Sequence, residues 1–253
     1  MVSKKQESSL DRVIRSLRED DFRVFLRRAW VFFQWRIIDF LVLYPYARWK
    51  LSREALKVQT PEAAVKFAFD RFGHLIRPMQ YRWEITELAK LVQSMKPRVV
   101  LEVGTAHGGT LFVFSRFAAH DATIISIDQP VGYPKWREPL YKEFAGPGQQ
   151  IHLIRADSHE EEAVLALSNI LNGRKIDFLF IDADHSYDGV KRDYELYSPF
   201  VREGGVMAFH DIKYPAGSRL VELFWEEVKK KRKTQELIES PNQVYAGIGI
   251  IFK

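Results

Sequence analysis

From Arg98 onward the sequence predicts an α/β fold: a doubly wound, mostly parallel sheet with helices on both faces, preceded by an N-terminal helical extension. Three observations carry this reading. Short apolar runs alternate with helix-like stretches, and a glycine-rich turn follows the first run. Two later runs, FIDADHSY (Phe180 to Tyr187) and FHDI (Phe209 to Ile212), end abruptly in carboxylates and imidazoles. In open α/β sheets ligands bind beyond the carboxyl ends of the strands, so Asp182, Asp184, His185, His210 and Asp211 are expected at one pocket.

The chain has 253 residues, 46% of them hydrophobic, enough for one core-forming domain with an appendage. It contains no cysteine, which excludes disulfides, thiolate nucleophiles and Cys-ligated metals and leaves carboxylate and histidine chemistry. The formal charge of +5 is not a nucleic-acid signal, because it belongs to one end. Residues 1–60 hold 13 Lys/Arg against 7 Asp/Glu, whereas residues 61–253 hold 25 against 26. No nucleic-acid partner is expected.

The elements follow in order. Residues 1–20 are too polar for the apolar region of a secretory signal peptide, so a cytoplasmic location is expected. Phe22 to Trp49 interleaves aromatics with arginines, but Gln34, Arg36, Asp39 and Pro45 interrupt it, against the roughly 20 apolar residues of a spanning helix. Two roles stay open for it: packing on its own domain or on a second subunit of a homo-oligomer, or contact with a membrane surface. The expected division is an extension over 1–75 and the main domain over 76–253.

Thr60-Pro61 starts a helix through Ala63, Val65, Phe67 and Phe69 towards Gly73, and a second runs from about Trp83 to Met95. Strands are expected at Val99–Val103, Thr123–Ile127, Ile151–Arg155, Ile176–Ile181, Val206–Phe209 and Val244–Phe252. A helix over Ser158 to Leu171, stopped by Gly173, opens with a capping box of Ser158 and Glu161. Lys229–Lys233 reads as a solvated helix end.

The turn LEVGTAHGGT, Leu101 to Thr110, leads into an apolar helix. Gly104, Gly108 and Gly109 permit a sharp turn and close approach of a ligand to the backbone. The turn is neither GxGxxG nor a phosphate loop. Glu102 would repel a phosphate and favour an ammonium or sulfonium. Asp128, 24 residues after Gly104, ends the next strand and suits ribose hydroxyls. Asp157-Ser158 ends the third strand at the height of an adenine. His107, inside the turn with Thr105, either covers the cofactor's methionine end, caps the helix or faces solvent.

Through Glu102-Val103-Gly104, Asp128 and Asp157-Ser158 the sequence resembles the class I S-adenosylmethionine-dependent methyltransferases, whose fold is Rossmann-like. More narrowly, EVGTAHGGT, ADSH, FLFIDADHSYDGVKRDYELYSP, GGVMAFHDI and GIGIIF resemble the branch of cephalosporin-hydroxylase-like proteins and metal-dependent sugar O-methyltransferases. The resemblance runs from about Gln80 to the C-terminus and leaves residues 1–60 outside. It implies S-adenosylmethionine held by Glu102, Gly104, Thr105, His107, Gly108, Gly109, Asp128, Asp157 and Ser158. It also implies Mg²⁺ or Mn²⁺ on Asp182, His210 and Asp211, with His185 as the base beside Asp182. The implied reaction methylates a hydroxyl of a sugar or polyol-bearing acceptor, a small molecule or a glycan.

The residues agree with that chemistry, since hard carboxylate oxygens suit Mg²⁺ or Mn²⁺ and imidazole titrates near about 6.5. One departure stands out: related sugar methyltransferases carry an acidic residue in place of His210. Asp184 and Asp188 either orient His185 or are helix-start carboxylates. Two other readings remain at this level, a nicotinamide-dependent oxidoreductase and a non-catalytic, membrane-associated binding protein on the same fold.

Overall fold

The structure, a computed structural model, describes residues 30, 39–72, 75–213 and 220–253. Most of the Phe22–Trp49 segment and His74 therefore lie outside the described residues. The chain divides between Tyr46 and Ala47 into two units, and the second contains the whole sheet. Among the described residues no helix is long and apolar enough to cross a membrane.

A π-helical turn, Asp39–Leu43, runs into α1 (Tyr44–Glu54). Then come α2 (Pro61–Arg71), α3 (Arg82–Met95), β1 (Val99–Val103), α4 (Gly109–Phe117), β2 (Thr123–Asp128), α5 (Glu138–Lys142) and β3 (Gln150–Arg155). The second half holds α6 (Glu161–Leu171), β4 (Ile176–Ile181), α7 (Tyr187–Tyr197), β5 (Val201–Lys213), α8 (Val221–Lys229), β6 (Thr234–Leu237) and β7 (Ala246–Phe252). Local chemistry sets several boundaries. Thr60 caps α2 by accepting from the Ala63 amide, with Pro61 at the first helical position. Ser186 caps α7 in the same way, accepting from Gly189 N.

The seven strands lie in the order β3-β2-β1-β4-β5-β7-β6. β1 to β5 pair in parallel, whereas β7 runs antiparallel to both β5 and β6. Period-two alternation sends successive side chains to opposite faces. On one face Phe114 of α4 meets Phe178 and Phe180 of β4 edge-on, and Phe67 of α2 stacks on Phe112. On the other, Leu101, Leu179 and Phe209 are buried with Leu167, Val190, Phe224 and Trp225 of α6, α7 and α8.

Three sequence expectations need correction. β7 is antiparallel and starts at Ala246 rather than Val244. β6 was not foreseen: its TQEL is half exposed and shows no apolar run. The capping box does not form, because α6 begins at Glu161 with Glu160 in the capping position and no side-chain cap. Asp157 Oδ1 instead accepts from the His159 amide, and Ser158 O accepts from Tyr197 Oη. These bonds turn the chain before the helix starts.

Candidate active site

A cavity of about 640 Å³ opens at the carboxyl ends of the parallel strands. From the β2–β3 side it is lined by Asp128, Gln129, Asp157, Ser158 and His159, in the middle by Gly104, Ala106 and Asp182, and from the β5–β7 side by His210, Asp211, Tyr245 and Ala246. Asp184 and His185 also reach it, as do Met79 and Tyr81. Its described lining includes five aspartates and three histidines but no lysine or arginine.

The glycine turn is built by the protein's own packing. Gly104 N donates to Ile127 O at 2.8 Å, and the amides of Thr105 and Ala106 donate to Asp128 Oδ2 at 3.0 and 2.8 Å. The backbone of Gly104 is left-handed (φ +101), and a Cβ there would overlap the carbonyl of Asp182. At Gly108 a side chain would meet the Tyr141 ring, and at Gly109 the Arg77-Pro78 peptide. Gly104 thus lines the cavity, while Gly108 and Gly109 serve close packing behind it. Thr105 is buried, with its hydroxyl 2.6 Å from Ser126 Oγ, and His107 is half-buried outside the lining.

Glu102 does not face the cavity. It is fully buried, accepting from Ser126 Oγ at 2.6 Å and from Thr110 Oγ1. Burial pushes its carboxyl up to about 8 against the lowering pull of those two hydroxyls. Its carboxyl is turned to Ser126 and Thr110 and away from the cavity.

At the end of β4, Asp182 binds three side chains. Its Oδ2 accepts from Gln80 Nε2 at 2.6 Å, and its Oδ1 lies 3.1 Å from His210 Nδ1 and 3.4 Å from His185 Nε2. Burial alone would raise this carboxyl, but the flanking imidazoles outweigh it and hold Asp182 well below the usual carboxylate range. His185 Nε2 is also 3.4 Å from Asp211 Oδ2. Asp182, His185 and Asp211 bring ligand atoms within 4.8 Å of one another, a donor set of two carboxylates and an imidazole that fits a divalent cation. His210 is not in this group. It sits behind Asp182, with Nε2 3.8 Å from Glu84 Oε2.

Alternation along β5 would send His210 and Asp211 to opposite faces. A bulge between His210 and Lys213 breaks the pairing with β7, and Asp211 adopts a left-handed backbone (φ 62), so both side chains line the cavity. Asp184 does not orient His185: its Oδ1 accepts from Ser186 N at 2.8 Å and its carboxyl packs on Gly189. Asp188 is exposed in the first turn of α7.

Sequence reading passed over Gln80, Glu84, His159 and Asp193. Glu84 lies fully buried on the apolar stripe of α3, where its Oε1 accepts from Gly247 N at 2.9 Å and from Gln243 Nε2. A carboxylate one turn before Leu88, in line with Val92, was the available signal. His159 Nε2 lies 3.3 Å from Asp193 Oδ1, a buried carboxyl that desolvation raises to about 6. Gln80 carries no pattern of its own.

Residues 101–212 match a family model described as a methyltransferase domain. An uncharacterised protein of Acanthamoeba polyphaga mimivirus is 34% identical over 114 residues, 44% of this chain and 50% of that protein. Tapetum-specific methyltransferase 1 of Arabidopsis thaliana is 33% identical over 129 residues, 48% of this chain and 50% of its own. The chain thus spans about half the length of these curated relatives. Among solved structures, an O-methyltransferase from Bacillus cereus in complex with SAH superposes with a TM-score of 0.53 at 19% identity, covering 86% of this chain and 96% of that one. TomG from Streptomyces achromogenes, an O-methyltransferase of tomaymycin synthesis in complex with SAM, gives 0.51 at 17% identity, covering 79% and 89%. Residues 101–212 thus match a methyltransferase-domain model, and the sheet shares the fold of these O-methyltransferase structures.

Proposed function

We propose that the protein is an S-adenosylmethionine-dependent O-methyltransferase acting on a hydroxyl of a sugar or polyol-bearing acceptor. The observation that carries this reading is the cavity's charge: five aspartates and no lysine or arginine among the described lining residues, beside the Gly104 turn. Such a surface attracts a cation and repels a pyrophosphate. It therefore favours a sulfonium cofactor over a nicotinamide dinucleotide. Asp128 and Asp157 stand at the β2–β3 end, where the ribose and adenine would lie. Gly104 leaves the backbone open between that end and Asp182.

When bound, S-adenosylmethionine supplies an electrophilic methyl group. His185 Nε2 lies between Asp182 and Asp211; on receiving the acceptor's hydroxyl proton it becomes an imidazolium, whose Nε2–H and positive charge those two carboxylates stabilise. Gln80 and His210 hold Asp182 in place from behind. Asp182, His185 and Asp211 would hold Mg²⁺ or Mn²⁺, which would lower the pKa of a coordinated hydroxyl. The same nitrogen cannot be ligand and base at once, so in a metal-loaded state His185 is a ligand.

Calorimetric titration tests the cofactor class directly: SAH is expected to bind and NAD is not, and the reverse pattern overturns the proposal. Titration with Mn²⁺, read by electron paramagnetic resonance on the unaltered chain and on Asp211→Asn, tests the metal. Equal binding by both excludes the site.

A further inference from the structure

The cavity's two ends differ in chemistry, and strand order sets them apart. β2 and β7 are four strand steps from each other, about 19 Å at the usual spacing. The β2–β3 end offers Asp128, Gln129 and Asp157. At the other end Tyr81 and Tyr245 pack with ring centroids 5.4 Å apart at 44°, next to Met79. Met79 is 67% exposed and Tyr245 49%, so apolar and aromatic surface lies open at the mouth of a polar cavity.

This pair is firmly mounted. Tyr81 is the residue on which α3 begins, and Tyr245 immediately precedes β7. Glu84 of α3 ties the two together, accepting from Gly247 N and from Gln243 Nε2, while Gln243 Nε2 also donates to Tyr245 O at 2.9 Å. The Tyr245 phenol beside it, together with burial, pushes the Tyr81 phenol up to about 12. The rings are therefore held in place before any ligand arrives.

We propose that Tyr81 and Tyr245 form an aromatic shelf that binds the carbon face of an uncharged sugar ring and selects the acceptor. The inference rests on the methyltransferase reading and deepens it. A sugar ring has a C–H face that packs on aromatic carbon and an edge of hydroxyls that needs hydrogen-bond acceptors. Asp211 at the same end of the cavity, and Asp182 next to it, offer carboxylate oxygens as acceptors for that edge. The absence of lysine and arginine from the described lining disfavours phosphorylated or otherwise anionic acceptors.

The test uses the full chain saturated with SAH and a panel of neutral methyl hexopyranosides, with the matching hexose 6-phosphates and catechol as competitors. Saturation-transfer NMR and titration read binding. At least one neutral glycoside is expected to bind with its ring protons saturated, and neither competitor to displace it. Tyr245→Ala is expected to weaken binding about threefold to tenfold, Tyr245→Trp to restore it, and SAH affinity to stay unchanged in both. Because Tyr245 is half exposed, loss of folding is not expected, and SAH binding monitors it. Equal glycoside affinity in Tyr245→Ala overturns the shelf. No neutral glycoside binding, or tyrosine-dependent binding of catechol or of a hexose phosphate, overturns the acceptor class. Failure of the unaltered chain to bind SAH overturns the methyltransferase reading itself.

Discussion

Gln80 Nε2 donates to Asp182 Oδ2 at 2.6 Å, joining residues 102 positions apart in the sequence. The amide is almost wholly buried, and its Oε1 has no hydrogen-bond partner among the described residues. It fixes a carboxylate that lies against both imidazoles. Gln80→Leu keeps the volume but removes the donor, and is expected to lower the methyl-transfer rate about 10- to 100-fold, the usual range for groups that orient a key ligand. SAH affinity by calorimetry should not change. An unaltered rate would show that His210 alone positions Asp182.

Glu102 makes stability depend on pH in an unusual direction. Its folded pKa is raised from 4.5 to about 8 by burial, so between these values the folded state keeps a proton that the unfolded state releases. Stability from this group is therefore present below about 4.5 and lost as pH rises towards about 8, by up to about 1.4 kcal/mol per unit. Glu102→Gln does not titrate. Thermal denaturation from pH 5 to 8 should show the parent losing Tm relative to Glu102→Gln, and parallel curves would contradict the assignment.

At Asp211 backbone and chemistry can be separated. Its φ of 62 lies in the region that Asn and Asp tolerate better than other non-glycine residues. Asp211→Asn should keep Tm within a degree or two while lowering methyl transfer at least about 100-fold, the lower range for loss of a general acid–base or charge contribution. Asp211→Ala should lose both activity and about 1 kcal/mol of stability, by the ordinary cost of that backbone region. Equal Tm values for the two variants would remove strain from the account.

Gly104 and Gly173 share a positive φ, +101 and +82, but not their surroundings. An added methyl at Gly173 meets nothing within 4 Å, whereas at Gly104 it strikes the Asp182 backbone. Gly173→Ala is expected to cost about 1 kcal/mol, and Gly104→Ala about 3 kcal/mol or more, because backbone strain is joined by overlap. Urea denaturation of the two variants measures the difference.

The parallel half of the sheet was legible because buried strands are continuous apolar runs. Val99–Val103 and Ile176–Ile181 occur as expected to the residue. That Asp182, Asp184, His185, His210 and Asp211 line one cavity was legible too, since strand ends converge in this fold. Their division of labour was not. A bulge and one left-handed residue decide where Asp211 points, and neither leaves a mark in composition. Glu102 misled for a related reason: its charge suggested a ligand, whereas the hydroxyls of Thr110 in the same turn and of Ser126 on β2 close over it. Glu84 shows the converse, a carboxylate on an apolar stripe whose partners at Gly247 and Gln243 only the tertiary fold reveals.

The insertion of β7 between β5 and β6 has a consequence for assembly during synthesis. β1 to β5 can pair in parallel as they emerge, but β5 keeps an open edge until residues 246–252 arrive. That edge carries Val206, Met207, Ala208 and Phe209, all buried in the finished sheet. A chain stalled near residue 240 would therefore expose an apolar template for intermolecular strand addition. Truncated chains should aggregate, although every residue matched by the methyltransferase family model is present in them.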